Sequence, residues 1–202
     1  CIRDRPCLNA TGRLDTAKRA LELLAAADDR MAYTVACELK EMNDSRKAMT
    51  LSGLEQAVRL VEEGQGREDK VLVVFLPDCH ESLAGIIAGR LRERYGKPVF
   101  VLTRGEEGVK GSGRSIEAYH MYDEMTACRE LFTKYGGHKM AAGLSMEEKN
   151  VEALRRRLNE NCRLTEEDFI PRIRIDVPMP LAYANEKLAA ELAVLEPFGT
   201  GN

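Results

Sequence analysis

No run of apolar residues in this sequence approaches the roughly 18 to 20 needed to cross a bilayer, and the first residues, CIRDRPCLNATGR, hold neither an apolar signal core nor a cleavage site. A soluble, cytoplasmic protein is therefore expected. Cysteine occurs six times, at 1, 7, 37, 79, 128 and 162, but never as a CxxC pair, so neither a zinc knuckle nor a disulfide framework is suggested. These thiols are read as reduced and mostly buried. There is no cluster of Asp and His at metal-ligand spacing, no P-loop and no Ser elbow. No catalytic apparatus and no metal ligand is visible, and Asp and Glu are scattered over expected helix surfaces. The chain begins at Cys1 without a Met and stops at Asn202 inside Gly-Thr-Gly-Asn, and both ends are expected to be cuts.

What is present is the composition of a folding chain: 202 residues, 44% hydrophobic and 31% charged, enough for one good core or two small domains. The net charge of −3 argues against an indiscriminate polyanion binder, but its distribution is uneven. Residues 1–84 and 141–202 each carry −3, whereas residues 85–140 carry +3. Only that middle third would offer a phosphate backbone a net positive surface.

Residues 15–27, DTAKRALELLAAA, place Ala17, Ala20, Leu21 and Leu24 on one helical face, with Asp15 as a candidate N-cap. From Asp28 to about Glu63 the helical pattern continues, broken only by Gly53 and Asn43-Asp44-Ser45, until Gly64-Gln65-Gly66 ends it. A long connecting helix, bent near Gly53, is expected. KVLVVFLP at 70–77 and PVFVLT at 98–103 read as strands flanking a helix over 82–95, an order that implies a parallel pair. A charged loop at 104–111 leads to a short strand at 113–116. A helix over 121–134 is expected to stop at Gly136-Gly137, followed by a strand at 141–145. Ser145 and Glu148 fit a capping box opening a helix from Met146 to about Asn161. The polar LTEEDFIP then separates this unit from RIRIDVP, 172–178, whose alternation marks a half-buried strand at the start of another domain. The expected class is α/β: a long connecting helix, an α/β domain with a mixed, partly parallel sheet, and a partial β domain at the C-terminus.

Three segments carry groups suited to anions. GSGRS at 111–115 combines glycines that let the backbone approach a bulky anion, the hydroxyls of Ser112 and Ser115 flanking Gly113, and the fixed donor fork of Arg114. Read alone it fits a flexible turn with a solvated Arg better. GGHKMAAG at 136–143 follows a helix, with Gly136 and Gly137 fitting a left-handed cap and His138 able to bond a phosphate or a base edge. LNATGRLD at 8–15 brackets small residues with Asn9 and Arg13 just before a helix, whose N-terminus favours anions. His80 stands at the carboxyl end of a buried strand, where open parallel sheets place their sites. His120 reads as a solvated helix start, and the run 155–157 as arginines facing water.

The order of these segments resembles the family of RecJ exonucleases: NATGR, a long helix, CHESLAGIIAGRLRERYGKPVFVLT, GSGRS, YGGHKMAAG and LEPFGTGN. The GS-x-RS and GGH-x-x-AAG motifs are shared by the DHH-associated domain more widely, while NA-x-GR and LEPFG-x-GN point to RecJ in particular. The resemblance implies a division into the tail of a DHH domain (1–27), a connecting helix (28–66), a substrate-binding DHH-associated domain (67–166) and the start of an OB-fold (167–202). It further implies that a Mn²⁺ or Mg²⁺ pair is held by ligands before residue 1, and that single-stranded DNA is cut from its 5′ end to mononucleotides. GSGRS and GGH would grip phosphates near that end, and Asn9 and Arg13 would line the cleft from the other side. A single-strand-binding protein and a RecQ-type helicase are implied as partners. Cys79-His80-Glu81-Ser82 departs from the family's usual Trp-His-x-Gly, so no aromatic role carries over there. Two alternatives stay open, a phosphodiesterase of very short or cyclic oligonucleotides and a non-catalytic nucleic-acid-binding module.

Overall fold

The computed structural model describes residues 5–14, 17–64, 66, 68–170, 175 and 177–196. It divides into two units, Cys1–Ile170 and Pro171–Asn202.

The first unit opens with helices α1 (Arg5–Leu14) and α2 (Lys18–Leu24), followed by the 35-residue α3 (Asp29–Glu63). Asp28 caps α3 by accepting the N–H of Met31, one of the four donors that a helix start leaves unsatisfied. The helix runs through Gly53 without a break. A Cβ there would lie 2.8 Å from Ile87 Cδ1, so this glycine permits close packing on the helix beyond. The expectation for residues 15–27 needs correcting. Ala17 precedes the helix and supplies no side-chain cap, and Asp15 lies outside the described residues. Leu21 and Leu24 are 65% and 75% exposed, so the apolar stripe of α2 does not form a packed face.

A five-stranded sheet follows: β1 (Leu72–Phe75), β2 (Val99–Gly105), β3 (Gly108–Arg114), β4 (Phe132–His138) and β5 (Ala141–Met146), in the spatial order β1-β2-β3-β5-β4. β1 and β2 are parallel, joined through helix α4 (Glu81–Tyr95), and every other pair is antiparallel. The apolar runs become strands because both their faces are covered. Leu72, Val74, Val99 and Val101 pack under α3 and α4, with Ala57, Val61, Leu83, Ile87 and Leu91. Phe100 and Leu102 face the opposite core with Met121, Met125, Leu154 and Leu158, contributed by α5 (Met121–Thr126) and α6 (Val151–Asn161). Asn159 ties α6 to the start of β1: its Oδ1 accepts the N–H groups of Lys70 and Val71, and its Nδ2 donates to Val71 O.

Several boundaries differ from the sequence reading. β2 and β3 form a hairpin turning at Gly105–Gly108, so most of the expected 104–111 loop is strand. The expected 121–134 helix stops at Thr126. After a 3-10 turn at Arg129–Leu131 the chain becomes the edge strand β4, because pairing with β5 puts Phe132 and Tyr135 against the core. A register shift between Phe132 and Lys134 lets both aromatics reach that face. Gly136 and Gly137 are therefore strand residues rather than a helix cap. Ser145 likewise sits in β5, and α6 begins only at Val151, after a 3-10 turn at Glu148–Asn150.

In the second unit the described residues form a 3-10 turn at Leu181–Tyr183 and helix α7 (Glu186–Ala193), capped by Asn185. Of the expected strand at 172–178, residues 172–174 and 176 lie outside the described residues, and Ile175 and Val177 are exposed. Residues 197–202 of the LEPFGTGN segment also lie outside them. Among the described residues no helix is long and apolar enough to cross a membrane.

Candidate phosphate-binding groove

Alternation along β3 sorts its residues onto two faces. Gly111 and Gly113 face the α5/α6 core, where an added Cβ would come within 2.4 Å of Leu102 Cδ2 and of Met121 Sδ, respectively. Lys110, Ser112 and Arg114 therefore face the other way, toward α4. The glycines of GSGR serve packing beneath a central strand, which corrects their reading as a flexible loop around an anion.

α3 and α4 cover that second face only as far as β3, and the two outer strands continue it into the open. The register aligns three cross-strand rows: Lys110–Ser145–Lys134, Ser112–Gly143–Gly136 and Arg114–Ala141–His138. The middle row is paved with glycine. A Cβ on Gly136 would meet nothing within 4 Å, and one on Gly143 only the Gly111 carbonyl at 4.0 Å. The first row and part of the second line a groove of about 370 Å³, walled by Glu81 and Ser82 of α4 on one side and Lys134 on the other, with Lys110, Ser112, Gly143 and Ser145 on its floor. Gly136, Arg114 and His138 continue the same face of the sheet beyond it. A shallow floor flanked by cations and hydroxyls suits an extended, multiply charged ligand whose backbone lies flat on the sheet.

Arg114 is half-buried, and its Nη1 donates to Gly113 O at 2.7 Å. Its guanidinium lies over Gly85 of α4, where a Cβ would come within 2.8 Å of Nη2. Gly85 thus makes the space in which the fork is held. His138 is exposed, and its Nδ1 accepts the Met140 N–H at 3.3 Å, so in the neutral ring the proton is on Nε2. Lys139 is paired with Glu117 at 2.7 Å. Lys110 is paired with Glu81 at 2.6 Å, and the Glu81 hydrogen bond, reinforced by the charges of Glu81, Glu106 and Glu107, holds its ammonium above the ordinary lysine range. At the hairpin end Arg104 makes a forked pair with Glu148, at 3.1 and 3.0 Å.

Other sequence candidates stand elsewhere. Ser115 is buried, and its hydroxyl donates to Tyr119 O at 2.7 Å, so it shapes the turn after β3 instead of facing the groove. Gly137 faces the core side: its φ is +153° and a Cβ would meet Ala141 O at 2.4 Å. His80 caps α4, its Nδ1 2.7 Å from Ser82 Oγ, beside the groove rather than on its floor. Asn9 is exposed on α1, inside a helix and not ahead of one, and α1 packs against α3 and α4. Arg13 belongs to the same helix, and its side chain lies outside the described residues. His120 caps α5 and pairs with Asp123, as a solvated helix start would. Arg155 departs from the expectation of an arginine facing water: it is largely covered and bonded to Asp69 at 2.6 Å.

Sequence reasoning missed Lys110, Lys134, Gly85, Gly143 and Ser145. For the two lysines the signal is the alternation K-G-S-G-R and K-Y-G-G-H, which becomes readable only once both segments are known to be strands with aligned registers.

Among the described residues no three His, Cys, Asp or Glu side chains converge in a way that could hold a metal ion.

Residues 68–164 match the DHHA1 domain family. Over 98% of its length the chain is 36% identical to the single-stranded-DNA-specific exonuclease RecJ of Bacillus subtilis, covering 25% of that protein. Crystal structures of RecJ from Thermus thermophilus in complex with Mg²⁺ and with Mn²⁺ superpose on 98% of the chain with TM-scores of 0.83 and 0.81 at 30% identity, the chain covering 30% and 29% of theirs. The chain therefore spans about a quarter of the length of that curated relative. With a DHHA1 domain at its centre and this likeness along nearly its whole length, the chain belongs to the RecJ family.

Proposed function

We propose that this chain is the strand-holding portion of a 5′ to 3′ exonuclease specific for single-stranded DNA, and that the groove over β3, β5 and β4 receives the sugar-phosphate backbone. The observation that carries this reading is the register that puts Lys110, Ser112 and Arg114 in line with Lys134, Gly136 and His138 across a strand of small residues. Arg114 supplies the planar fork that matches phosphate oxygens, and His138 supplies a second donor in the same row. Ser112 adds a hydroxyl, and the glycine row lets the backbone lie close to the sheet. Asn9, Arg13 and His80 are assigned further contacts to the strand.

In this reading residues 1–27 are the end of a DHH domain, 28–66 the connecting helix, 67–166 the substrate-binding domain and 167–202 the beginning of an OB-fold, a module that tracks single strands. The intact enzyme would use Mn²⁺ or Mg²⁺, the ions bound in the Thermus structures, through ligands outside this chain. This part contributes position: it holds the scissile strand in register, which is worth much of a hydrolytic barrier. A single-strand-binding protein and a RecQ-type helicase are the partners this function would call for.

The test is binding of a 5′-phosphorylated single-stranded oligomer to the 202-residue chain at low salt, against the matching duplex and a dinucleotide, with a nuclease assay in Mn²⁺ alongside. Preference for the longer single strand without cleavage is expected. Equal binding of the dinucleotide would favour a short-oligonucleotide phosphodiesterase, and cleavage would place an active site within this chain.

A further inference from the structure

Glu81 and Lys110 meet at the wall of the groove with Oε2 and Nζ 2.6 Å apart, both side chains about half exposed. The carboxylate comes from the first turn of α4, the ammonium from β3 in the row shared with Ser145 and Lys134. Glu106 and Glu107, in the hairpin between β2 and β3, add their field to Glu81's at the same ammonium. Lys134, across the same row, makes no ion pair among the described residues. One end of the groove therefore holds a cation already satisfied by a protein carboxylate.

Spacing gives this pair a consequence. Residues facing one way on a strand recur every second position, about 6.8 Å apart, a step similar to that between successive phosphates of an extended nucleic-acid strand. A backbone with one phosphate at Arg114 and the next beside Ser112 would bring its third to Lys110, where Glu81 already sits. We propose that Glu81 is a displaceable counter-anion that closes the Lys110 end of the groove, so that this subsite opens only to a strand long enough to reach it. Glu81 then acts as a specificity residue: it opposes the entry of a third phosphate without touching a ligand held at the Arg114 end. The inference rests on the phosphate-binding reading of the groove.

The experiment compares a 5′-phosphorylated thymidine decamer with a 5′-phosphorylated dithymidine over a series of salt concentrations. The proteins are the unmodified chain, Glu81→Gln, Lys110→Met, the double variant, Arg114→Ala, and Glu160→Gln. The last removes one carboxylate charge from α6, on the other side of the sheet. Glu81→Gln should tighten decamer binding about two- to fivefold, the scale of one exposed ion pair no longer competing. It should also steepen the log–log salt dependence by up to about 0.7, one additional phosphate contact. Dithymidine binding should stay unchanged. Lys110→Met should abolish the gain, so that the double variant matches the single lysine variant.

The proposal is overturned if Glu81→Gln leaves decamer affinity and slope unchanged while Arg114→Ala weakens binding, a result that keeps the groove and removes its gate. It is equally overturned if Glu81→Gln strengthens the dinucleotide as much as the decamer, or if Glu160→Gln has the same effect. If neither Arg114→Ala nor Glu81→Gln alters binding, the phosphate-groove reading fails and takes the counter-anion with it.

Discussion

Arg114 and His138 stand in one cross-strand row, each in register with Ala141, which lies between them on β5. Two inter-strand steps separate their backbones by about 9.6 Å, and the small residue between leaves the space above the sheet open. A planar, permanently charged donor and an imidazole thus flank the small side chain of Ala141.

Arg114→Ala should weaken single-strand binding and flatten its salt dependence by about 0.7 on a log–log plot, the share of one phosphate contact. Arg114→Lys should restore most of the slope but only part of the affinity, because the charge returns without the fork. A titration by fluorescence anisotropy across salt concentrations reads both. An unchanged slope for the alanine variant would remove Arg114 from the interface.

The two adjacent glycines of GGH should separate cleanly. Gly137→Ala places a Cβ 2.4 Å from Ala141 O at a φ of +153°, and should destabilise the chain by about 1–3 kcal/mol in urea denaturation. Gly136→Ala meets nothing within 4 Å, so its unfolding midpoint should stay close to that of the unmodified chain while oligomer binding falls, since the methyl stands on the open face that continues the groove. Equal stability losses for both would mean that Gly136 is a packing residue and the middle row is not open.

Tyr119 is almost wholly buried, and its hydroxyl finds no hydrogen-bond partner among the described residues. Burial, followed by the charge of Glu124, pushes its ionisation well above the usual tyrosine range. Tyr119→Phe removes a desolvated polar atom and keeps the ring, so stability should hold or rise by up to about 1 kcal/mol. The Ser115 bond to the Tyr119 carbonyl is untouched by this change. A loss above about 1 kcal/mol in denaturant would show that the hydroxyl is bonded, for example to a buried water.

Cys128 is buried in the α5/α6 core with its thiol toward Glu124 O at 3.5 Å. Burial first, then the charge of Glu130, pushes the thiol up to about 11 from its usual value near 9. The folded state therefore holds this proton more tightly than the unfolded chain does. The stability it contributes is full below pH 9 and is lost as the pH rises toward about 11. Urea midpoints measured from pH 8 to 11 should fall more steeply in the unmodified chain than in Cys128→Ala. At pH 8 iodoacetamide should label the partly exposed Cys7 and Cys37 well before Cys128. Identical pH profiles for the two proteins would mean that Cys128 ionises as it does unfolded.

Much of the framework could be read directly. VLVVF and VFVLT are short, Val-rich and apolar at both parities, as a strand covered on two faces is, and the helix between them declares itself by Leu83, Ile87 and Leu91. The residues from Asp28 to Glu63 hold few breakers, and Asp29–Glu63 form one helix. The reading failed where glycine and helical periodicity were ambiguous. In M-Y-D-E-M-T-A-C-R-E-L-F the apolar spacing suits a helix throughout, yet pairing with β5 takes over from Phe132.

By itself, then, the sequence determined the two buried strands, the helix that links them, the long helix before them and the supply of phosphate-seeking side chains in its positive middle third. Tertiary structure alone decided what those side chains face. Glycine in a sequence signals freedom, but Gly113 is filled against Met121 and Phe100, whereas the space above Gly136 is open. The difference lies in neighbours far along the chain. For the same reason Lys110, 24 residues before Lys134, came into its row. Strand register, set by packing across the whole sheet, brings these charges together, and local sequence carries no record of it.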